Sequence, residues 1–445
     1  MGDRDHSRPG YDPRVQEYVL SELDSGERLI TERVTSVRSI SLGFWIGAGS
    51  RDEPDPKAGV SHFIEHLLFK GTRSYTAQEI AEIFDGLGGE LNAATSREHT
   101  VVYARVPAHH LEDALDVMAD MVFSPTFADV DSEREVVLEE IAMVEDTPQE
   151  LVHDLISEAV FGAHPLGRPV IGRAGVISSV ARRSLAAYHR AAYVAGNVVL
   201  AAAGNLDHDR LLGLLERAAH QRVEPPARRT RVRPPLVKVP PPGLRFLRKD
   251  TEQYHVCIGA TGISRSDRRR FAASLLDAIL GGSASSRLFQ EIREKRGMAY
   301  SVYSFASQHT DTGQVGIYVG TREENLEACL DIAAEQIAEI AAGKLREREL
   351  ARAKENLKGR IMLSMEATSN RMSRLGKSLI TDTELLSLDR IIAEIDAVEP
   401  AAIAELADML LAPERLSAAG IGPGEERFLA AVERIHPGLP AQAAA

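Results

Sequence analysis

Cysteine, tryptophan and long apolar runs are scarce in this chain of 445 residues. The two cysteines, Cys257 and Cys329, are too few for a disulfide framework and form no C-x-x-C pair. No stretch approaches the roughly 20 consecutive apolar residues that cross a bilayer, and the first residues lack the apolar segment of a secretory signal. We therefore expect a cytoplasmic protein with reduced thiols and no membrane partner.

An excess of positive charge is also lacking. The chain carries 65 acidic and 52 basic side chains, a formal net charge of −13, which argues against nucleic acid as a partner. The negative charge fits a surface that attracts basic peptides, or one that serves solubility alone. Hydrophobic residues make up 44% of the chain, as in ordinary soluble proteins, and the length predicts two or more domains.

Three polar side chains interrupt the apolar stretch GVSHFIEHLLFKGT. In a helix, His62, Glu65 and His66 fall within one arc of roughly 100°, and apolar residues fill the rest of the circumference. Two imidazoles four residues apart suit a divalent metal, most often zinc, and a glutamate beside them can take a proton from water at the metal. The pattern H-x-x-E-H is the inverzincin signature. The alternative is a pair of core histidines that hydrogen-bond to the backbone.

A catalytic zinc site usually has a third protein ligand. Residues 131–146 are predicted to form a helix, with a capping box that begins at Ser132. Glu133 and Glu140 lie about 20° apart in the middle of its apolar face, whereas Glu139 points to the far side. An acidic pair on an apolar stripe indicates a cationic partner, which is either a metal or a buried arginine.

The two halves of the chain repeat one plan. Residues 223–247 are rich in proline and arginine and predict a linker between residues 1–222 and residues 248–445. The order strand–helix–helix–strand–strand–helix–helix recurs on both sides and suggests a duplication. We predict an α+β protein of two homologous domains, each a mainly antiparallel sheet packed with helices. The second domain lacks histidine at the place of HFIEH, so it cannot build the same metal site.

HFIEHLLFKGT, followed about seventy residues later by EREVVLEE, resembles the pitrilysin/insulysin family of zinc peptidases. The resemblance covers nearly the whole chain and is closest to mitochondrial processing peptidase and its single-chain bacterial relatives. It implies one zinc ion per chain with His62, His66 and Glu140 as ligands. It also implies that Glu65 is the catalytic base and that Glu133 supports the metal site.

The stretch GGSASSRLFQEIREKRGMAYSVYSF is the informative part of the second half. By the same resemblance, Arg293 and Tyr300 reach the substrate. A tyrosine hydroxyl can donate to an oxyanion, and an arginine can hold a carbonyl or a carboxylate. Gly281 and Gly282 allow close backbone approach, but Ser283 stands where the family often has a third glycine. The alternative is a helix with a basic, solvated face.

A second substrate element is predicted in GGELNAATS. As an edge strand beside the metal helix, it could pair with an extended peptide by β-augmentation. The resemblance points to Asn92, Ala93 and Ala94, with Asn92 near the scissile bond. The alternative is a plain sheet edge.

Together these features predict a zinc-dependent endopeptidase that hydrolyses peptides or unfolded segments inside an enclosed chamber by attack of metal-activated water. The alternative is a non-catalytic or partner-dependent peptide-binding subunit of a complex similar to processing peptidase. The complete metal motif favours activity. Both motifs in one chain favour a homodimer, in which each site combines the first half of one chain with the second half of the other.

Overall fold

Two sheets organise the chain in a computed structural model that describes residues 18–220, 235–236 and 238–443. The first sheet contains the strands β1 (Val19–Glu22), β2 (Arg28–Arg33), β3 (Ser39–Ile46), β4 (Glu90–Thr95), β5 (Thr100–Pro107) and β6 (Val198–Gly204). The second contains β7 (Leu244–Arg248), β8 (Tyr254–Gly262), β9 (Ala299–Gln308), β10 (Gly313–Thr321) and β11 (Ser417–Gly422).

The helices surround these sheets. In the first half they are α1 (Val60–Leu68), α2 (Ala77–Leu87), α3 (Leu111–Phe123), α4 (Val130–Glu145), α5 (Pro148–Phe161), α6 (Ala174–Ile177), α7 (Arg182–Ala192) and α8 (His208–His220). In the second half they are α9 (Arg270–Leu280), α10 (Leu326–Ala341), α11 (Glu347–Ser364), α12 (Thr368–Ile380), α13 (Leu388–Asp396), α14 (Pro400–Leu411), α15 (Glu425–Ile435) and α16 (Leu439–Ala443), with a π-helical segment at Phe289–Glu294. None of the helices described is long and apolar enough to cross a bilayer.

The two sheets share one topology. Their strand orders are β1-β2-β6-β3-β5-β4 and β7-β11-β8-β10-β9, so the second repeats the first without β1. All neighbouring strands run antiparallel except β2 with β6 and β7 with β11, which are the equivalent pairs. Each sheet packs its helices over its own apolar core. The predicted α+β class with two homologous, mainly antiparallel domains is confirmed.

The second sheet begins inside the predicted linker. Residues 223–234 and 237 lie outside the described residues, but β7 pairs in parallel with β11 from Leu244 onward. The predicted linker end at residue 247 was therefore wrong. Proline dominates the residues just before this strand, and its five residues are too short to show a clear alternation in sequence.

Each half contributes one helix to the other half's sheet. Helix α5 of the first half packs on β7, β8, β10 and β11, where Ile156 meets Cys257 and Tyr318 in one apolar cluster. Helix α12 of the second half packs on β2, β3 and β6, where Met372 meets Trp45. Apolar surface buried in this way stabilises by about 25 cal/mol per Å². The two halves are therefore interdependent in folding.

A buried ion-pair network also joins the halves. Arg51, only 1% exposed, is bonded to Glu98 at 2.9 Å and to both carboxylate oxygens of Asp311 at 2.7 Å. Glu98 also accepts hydrogen bonds from the backbone and hydroxyl of Thr310 at 3.1 and 2.9 Å. The turn after β4 thus contacts the turn after β9, and the network satisfies charges that would otherwise be costly to bury.

Two helical glycines test whether α12 packs on the sheet of the first half. A Cβ on Gly376 of α12 would lie 2.1 Å from Nε1 of Trp45, whereas a Cβ on Gly359 of α11 meets nothing within 4 Å. We expect Gly376→Ala to lower the free energy of unfolding by about 1–3 kcal/mol through overpacking. Gly359→Ala should raise it by about 0.5–1 kcal/mol through helix propensity. Denaturant unfolding followed by the fluorescence of Trp45 measures both; equal effects of the two changes would contradict the packing of α12 on the first sheet.

Candidate metal centre and active site

Helix α1 has a firmly anchored start. The backbone N–H groups of Gly59 and Ser61 donate to the buried carboxylate of Glu53 at 2.7 and 2.6 Å, which satisfies amides that have no partner inside the helix. Burial raises the pKa of Glu53 to about 7. Gly59 has a φ of 99°, and a Cβ there would lie 2.7 Å from Cα of Gly172. These contacts fix the helix that carries HFIEH.

The predicted ligands His62, His66 and Glu140 lie together where α1 faces α4. Oε2 of Glu140 is 3.7 Å from Nε2 of His62 and 3.3 Å from Nε2 of His66. The three side chains offer ligand atoms that all lie within 4.8 Å of one another. Glu139, the neighbouring residue on α4, is exposed on the far side, as the helical periodicity predicts.

Glu133 orients one of the histidines. It is 4% exposed, and its Oε1 lies 2.9 Å from Nδ1 of His66. Its Oε2 lies 2.7 Å from Nζ of Lys70. Because Nδ1–H donates to Glu133, the lone pair of His66 is on Nε2, which faces Glu140. The cationic partner of Glu133 is thus Lys70, and the imidazole of His66 is its second partner.

The side chains fit a divalent cation. Nδ1 of His62 and Oε2 of Glu65 are buried and have no hydrogen-bond partner among the described residues. Burial, together with repulsion by His66, lowers the pKa of His62 to about 4, so its imidazole is neutral at pH 7. Two imidazoles and one carboxylate match the donor set of zinc enzymes of the His₂Glu type.

Glu65 lies beside this cluster and close to the end of β4. Burial raises the pKa of Glu65 above its ordinary value, while polar groups of Thr95 and the nearby His66 oppose the shift. A carboxyl group with a raised pKa and one unpartnered oxygen can accept a proton and release it again. The arrangement can therefore combine a metal with an adjacent general base.

Comparison with known proteins decides the family. The family model described as Insulinase (Peptidase family M16) matches residues 28–174, and the model described as Peptidase M16 inactive domain matches residues 179–357. A protein of Mycobacterium leprae named an uncharacterized zinc protease is 41% identical over 407 residues, which cover 90% of this chain and 91% of the relative. The chain belongs to peptidase family M16. A Bacillus subtilis relative, also named an uncharacterized zinc protease, is 40% identical over 383 residues, 84% of this chain and 91% of the relative.

Solved structures share the M16 fold. A peptidase M16 inactive domain from Pseudomonas fluorescens superimposes with a TM-score of 0.82 at 24% identity, covering 92% of this chain and 98% of that one. A protease from Helicobacter pylori gives a TM-score of 0.85 at 20% identity, covering 91% and 99%. The family models and the two zinc-protease relatives confirm the resemblance to the pitrilysin/insulysin family. The division into a peptidase model and an inactive-domain model agrees with the absence of HFIEH from the second half.

The predicted substrate residues of the second half of this M16 chain lie in their own cluster. The guanidinium of Arg293 stacks 4.4 Å from the ring centre of Tyr300, and its Nη1 donates to the carbonyl oxygen of Tyr300 at 2.9 Å. Tyr300 is 78% exposed at the start of β9. Among the described residues, neither side chain has a hydrogen bond or ion pair with the His-His-Glu group. Tyr300 is thus presented to solvent, while Arg293 is half-buried beneath its ring.

The predicted glycines lie at the end of α9, and Gly281 is close to β9, the strand that begins next to Tyr300. A Cβ on Gly281 would lie 2.1 Å from the backbone N of Ser304, and a Cβ on Gly282 would lie 2.7 Å from Oδ2 of Asp277. The close approach that Gly281 allows is between the end of α9 and β9, whereas Gly282 approaches Asp277 of α9 itself. Ser283, in place of the third glycine, donates to the carbonyl of Ala278 at 3.2 Å.

The strand β4 carries the predicted peptide-binding residues. Within the described part of the chain it pairs with β5 alone, so its other edge is open, and it contacts α1. Asn92 and Ala94 are exposed, while Ala93 packs against the core. The side chain of Asn92 accepts a hydrogen bond from the N–H of Ala93 at 2.8 Å.

Two site residues, Lys70 and Thr95, escaped the sequence analysis. Lys70 contacts Glu133, and Thr95 contacts Glu65, only in the folded chain. Lys70 stands four residues after His66, a spacing that could have suggested a contact.

The predicted capping box at Ser132 was wrong. The helix begins earlier, at Val130, so the Ser132 hydroxyl lies in the first turn and donates to the carbonyl of Asp129 at 3.1 Å.

The two adjacent glutamates of α4 provide a matched test. Glu140→Gln should weaken zinc binding by about 10-fold or more, because a neutral amide replaces the only carboxylate among the described residues that lies close to both histidines. Glu139→Gln makes the same chemical change on the exposed side and should leave zinc affinity unchanged. Competition with a chelator measures both affinities. A loss of affinity in the Glu139 variant would show that the ligand assignment is wrong.

Proposed function

We propose that this M16 protein is a zinc endopeptidase that cuts peptides and unfolded segments. The observation that carries the proposal is the facing arrangement of His62, His66 and Glu140 with Glu65 beside them. When bound, the zinc ion supplies a Lewis acid that polarises a carbonyl and makes water more acidic. His62, His66 and Glu140 hold it, and Glu133 keeps His66 in the required tautomer.

Glu65 performs the proton transfers. Its free oxygen takes a proton from the attacking water and later delivers that proton to the leaving amine. The partly buried setting that raises its pKa makes Glu65 a stronger proton acceptor than an ordinary carboxylate. Tyr300 donates its hydroxyl to the carbonyl oxygen as that oxygen becomes negative, and Arg293 holds the tyrosine ring and a backbone carbonyl of the substrate.

The substrate lies along β4. The open edge of this strand provides N–H and C=O groups to an extended peptide, with Asn92 near the scissile bond. Apolar surface flanks the metal group on α4, where Val136 and Met143 lie about one turn to either side of Glu140 and are 50% and 61% exposed. Folded proteins offer no extended segment of this kind, so they are excluded as substrates.

A homodimer completes each site. The pair Arg293–Tyr300 of one chain, of which Tyr300 is exposed, faces the metal group of the other across an enclosed chamber, which admits peptides. Closure of such a chamber removes water and strengthens electrostatic interactions at the metal.

The test is zinc content and molar mass of the purified protein, followed by digestion of unstructured peptides and of a folded protein. We expect one zinc ion per chain, the mass of two chains, peptide cleavage and no cleavage of the folded protein. Failure to retain zinc would overturn the metal role. Bound zinc without cleavage of any peptide would favour the alternative, a partner-dependent peptide-binding subunit.

A further inference from the structure

A cavity of about 880 Å³ lies between the two halves, apart from the His-His-Glu group. Residues 96–99, in the turn after β4, line it from the first half. Side chains of α9 and α11, the end of β9 and Lys377 of α12 line it from the second half. Its volume is in the range of small-molecule and peptide subsites.

The cavity is cationic, although the chain as a whole carries a net charge of −13. Two acidic side chains line it, Glu98 and Asp277. Four basic side chains line it as well: Arg97, Arg265, Arg360 and Lys377.

Both acids are already engaged. Glu98 belongs to the network with Arg51 and Thr310. Asp277 accepts a hydrogen bond from the hydroxyl of Ser304 at 2.6 Å. Their remaining capacity to neutralise further cations is therefore small.

Two of the four cations are also engaged in hydrogen bonds, and the other two have only a longer-range attraction to an acid of the cavity, Arg360 to Asp277 and Lys377 to Glu98. Arg97 donates to the carbonyl of Leu166, and Arg265 donates to the carbonyl of Gln308. Lys377 and Arg360, in contrast, make no side-chain hydrogen bond or ion pair with any residue that the structure describes. Desolvation by surrounding protein atoms, reinforced by Arg265 and opposed by Glu98, lowers the pKa of Lys377. Lys377 and Arg360 are both exposed on the cavity wall, where they can form charge-assisted hydrogen bonds to a bound anion.

Both open strand edges lead to this cavity. Ser96, directly after β4, is part of the lining, and so are residues 306–308 at the end of β9. At about 3.3 Å per residue, Ser96 lies roughly 13 Å along the chain from Asn92. An extended peptide held on β4 therefore reaches the cavity about four residues from the position opposite Asn92.

We propose that this cavity is an anion subsite of the peptidase, in which Lys377 and Arg360 bind a carboxylate of the peptide held on β4. The carboxylate belongs either to an acidic side chain or to the C-terminus of the peptide. The inference rests on the proposed function, because it requires peptide to lie on β4. It adds a preference for negative charge about four residues from the cleaved bond.

Binding of labelled peptides to the zinc-loaded Glu65→Gln protein tests the proposal. Three versions of one peptide differ only in charge: a free C-terminus, a C-terminal amide with one glutamate, and a C-terminal amide with glutamine instead. We expect one or both charged versions to bind about tenfold more tightly than the neutral peptide, and this advantage to shrink at high salt. The version that binds more tightly identifies the source of the carboxylate.

Charge variants assign the effect to the cavity. Lys377→Met and Arg360→Gln should each remove most of the advantage, while Lys377→Arg should keep it. Lys344→Met removes a lysine that pairs with Glu339 on the surface, outside the cavity lining, and should change nothing. Thermal unfolding shows whether each variant is folded. If Lys377→Met does not fold, Arg360→Gln provides the test of the cavity.

The outcomes separate this inference from the proposed function. Equal binding of charged and neutral peptides, with peptide cleavage intact in the wild type, would overturn the anion subsite alone. Thermal stabilisation by inorganic phosphate, with equal binding of the charged and neutral peptides, would also overturn the anion subsite. The cavity would then bind a small free anion and not a carboxylate of the peptide. Charge-dependent binding without any cleavage by the wild type would support the subsite and count against the proposed peptidase activity.

Discussion

Glu65→Gln is expected to retain zinc and to lose peptide cleavage by about 10³-fold or more. The amide has the shape of the carboxylate but cannot accept the proton of the attacking water. The metal group should persist, because Glu65 is not within the cluster of His62, His66 and Glu140. Zinc content and kcat/KM on an unstructured peptide measure the two effects separately.

The matched control is Glu139→Gln, the same change at an exposed position on α4. It should leave both zinc content and turnover at the wild-type level. Substantial turnover by the Glu65 variant would remove Glu65 from the role of base. Loss of zinc from that variant would instead mean that Glu65 supports the metal group.

Tyr300→Phe is expected to lower turnover by about 10²- to 10³-fold, the usual loss for one oxyanion donor. The hydroxyl makes no hydrogen bond with any described residue, and the phenylalanine ring can keep the stacking on Arg293. Zinc content, thermal stability and molar mass should therefore remain unchanged. If turnover also remained unchanged, Tyr300 would have no part in stabilising the oxyanion.

Mixing two inactive variants tests whether each active site is formed by two chains. Glu65→Gln chains keep an intact Arg293–Tyr300 pair, and chains with Arg293→Ala and Tyr300→Phe keep an intact metal group. A mixed dimer with shared sites contains one complete site, so part of the activity should return. An active monomer would rule out sharing between chains and leave closure within one chain as the remaining arrangement.

The sequence alone determined the local geometry of the candidate site. An α-helix turns by about 100° per residue, so the spacing in HFIEH places His62 and His66 on one side whatever surrounds the helix. The same rotation separated Glu140, which lies beside the histidines, from Glu139, which is exposed. The repeated order of elements also predicted two related sheets, because alternation and helical periodicity are properties of short segments.

Only the tertiary structure decided which distant segments meet. No periodicity of α5 or α12 indicates that each packs on the sheet of the opposite half, since an apolar helical face fits either sheet. The pairing of Glu133 with Lys70 and the joining of Glu98 to Thr310 likewise depend on how the elements pack. Local patterns fix what each segment becomes, but a contact between segments is fixed by the burial of apolar surface and the pairing of buried charges over the whole chain.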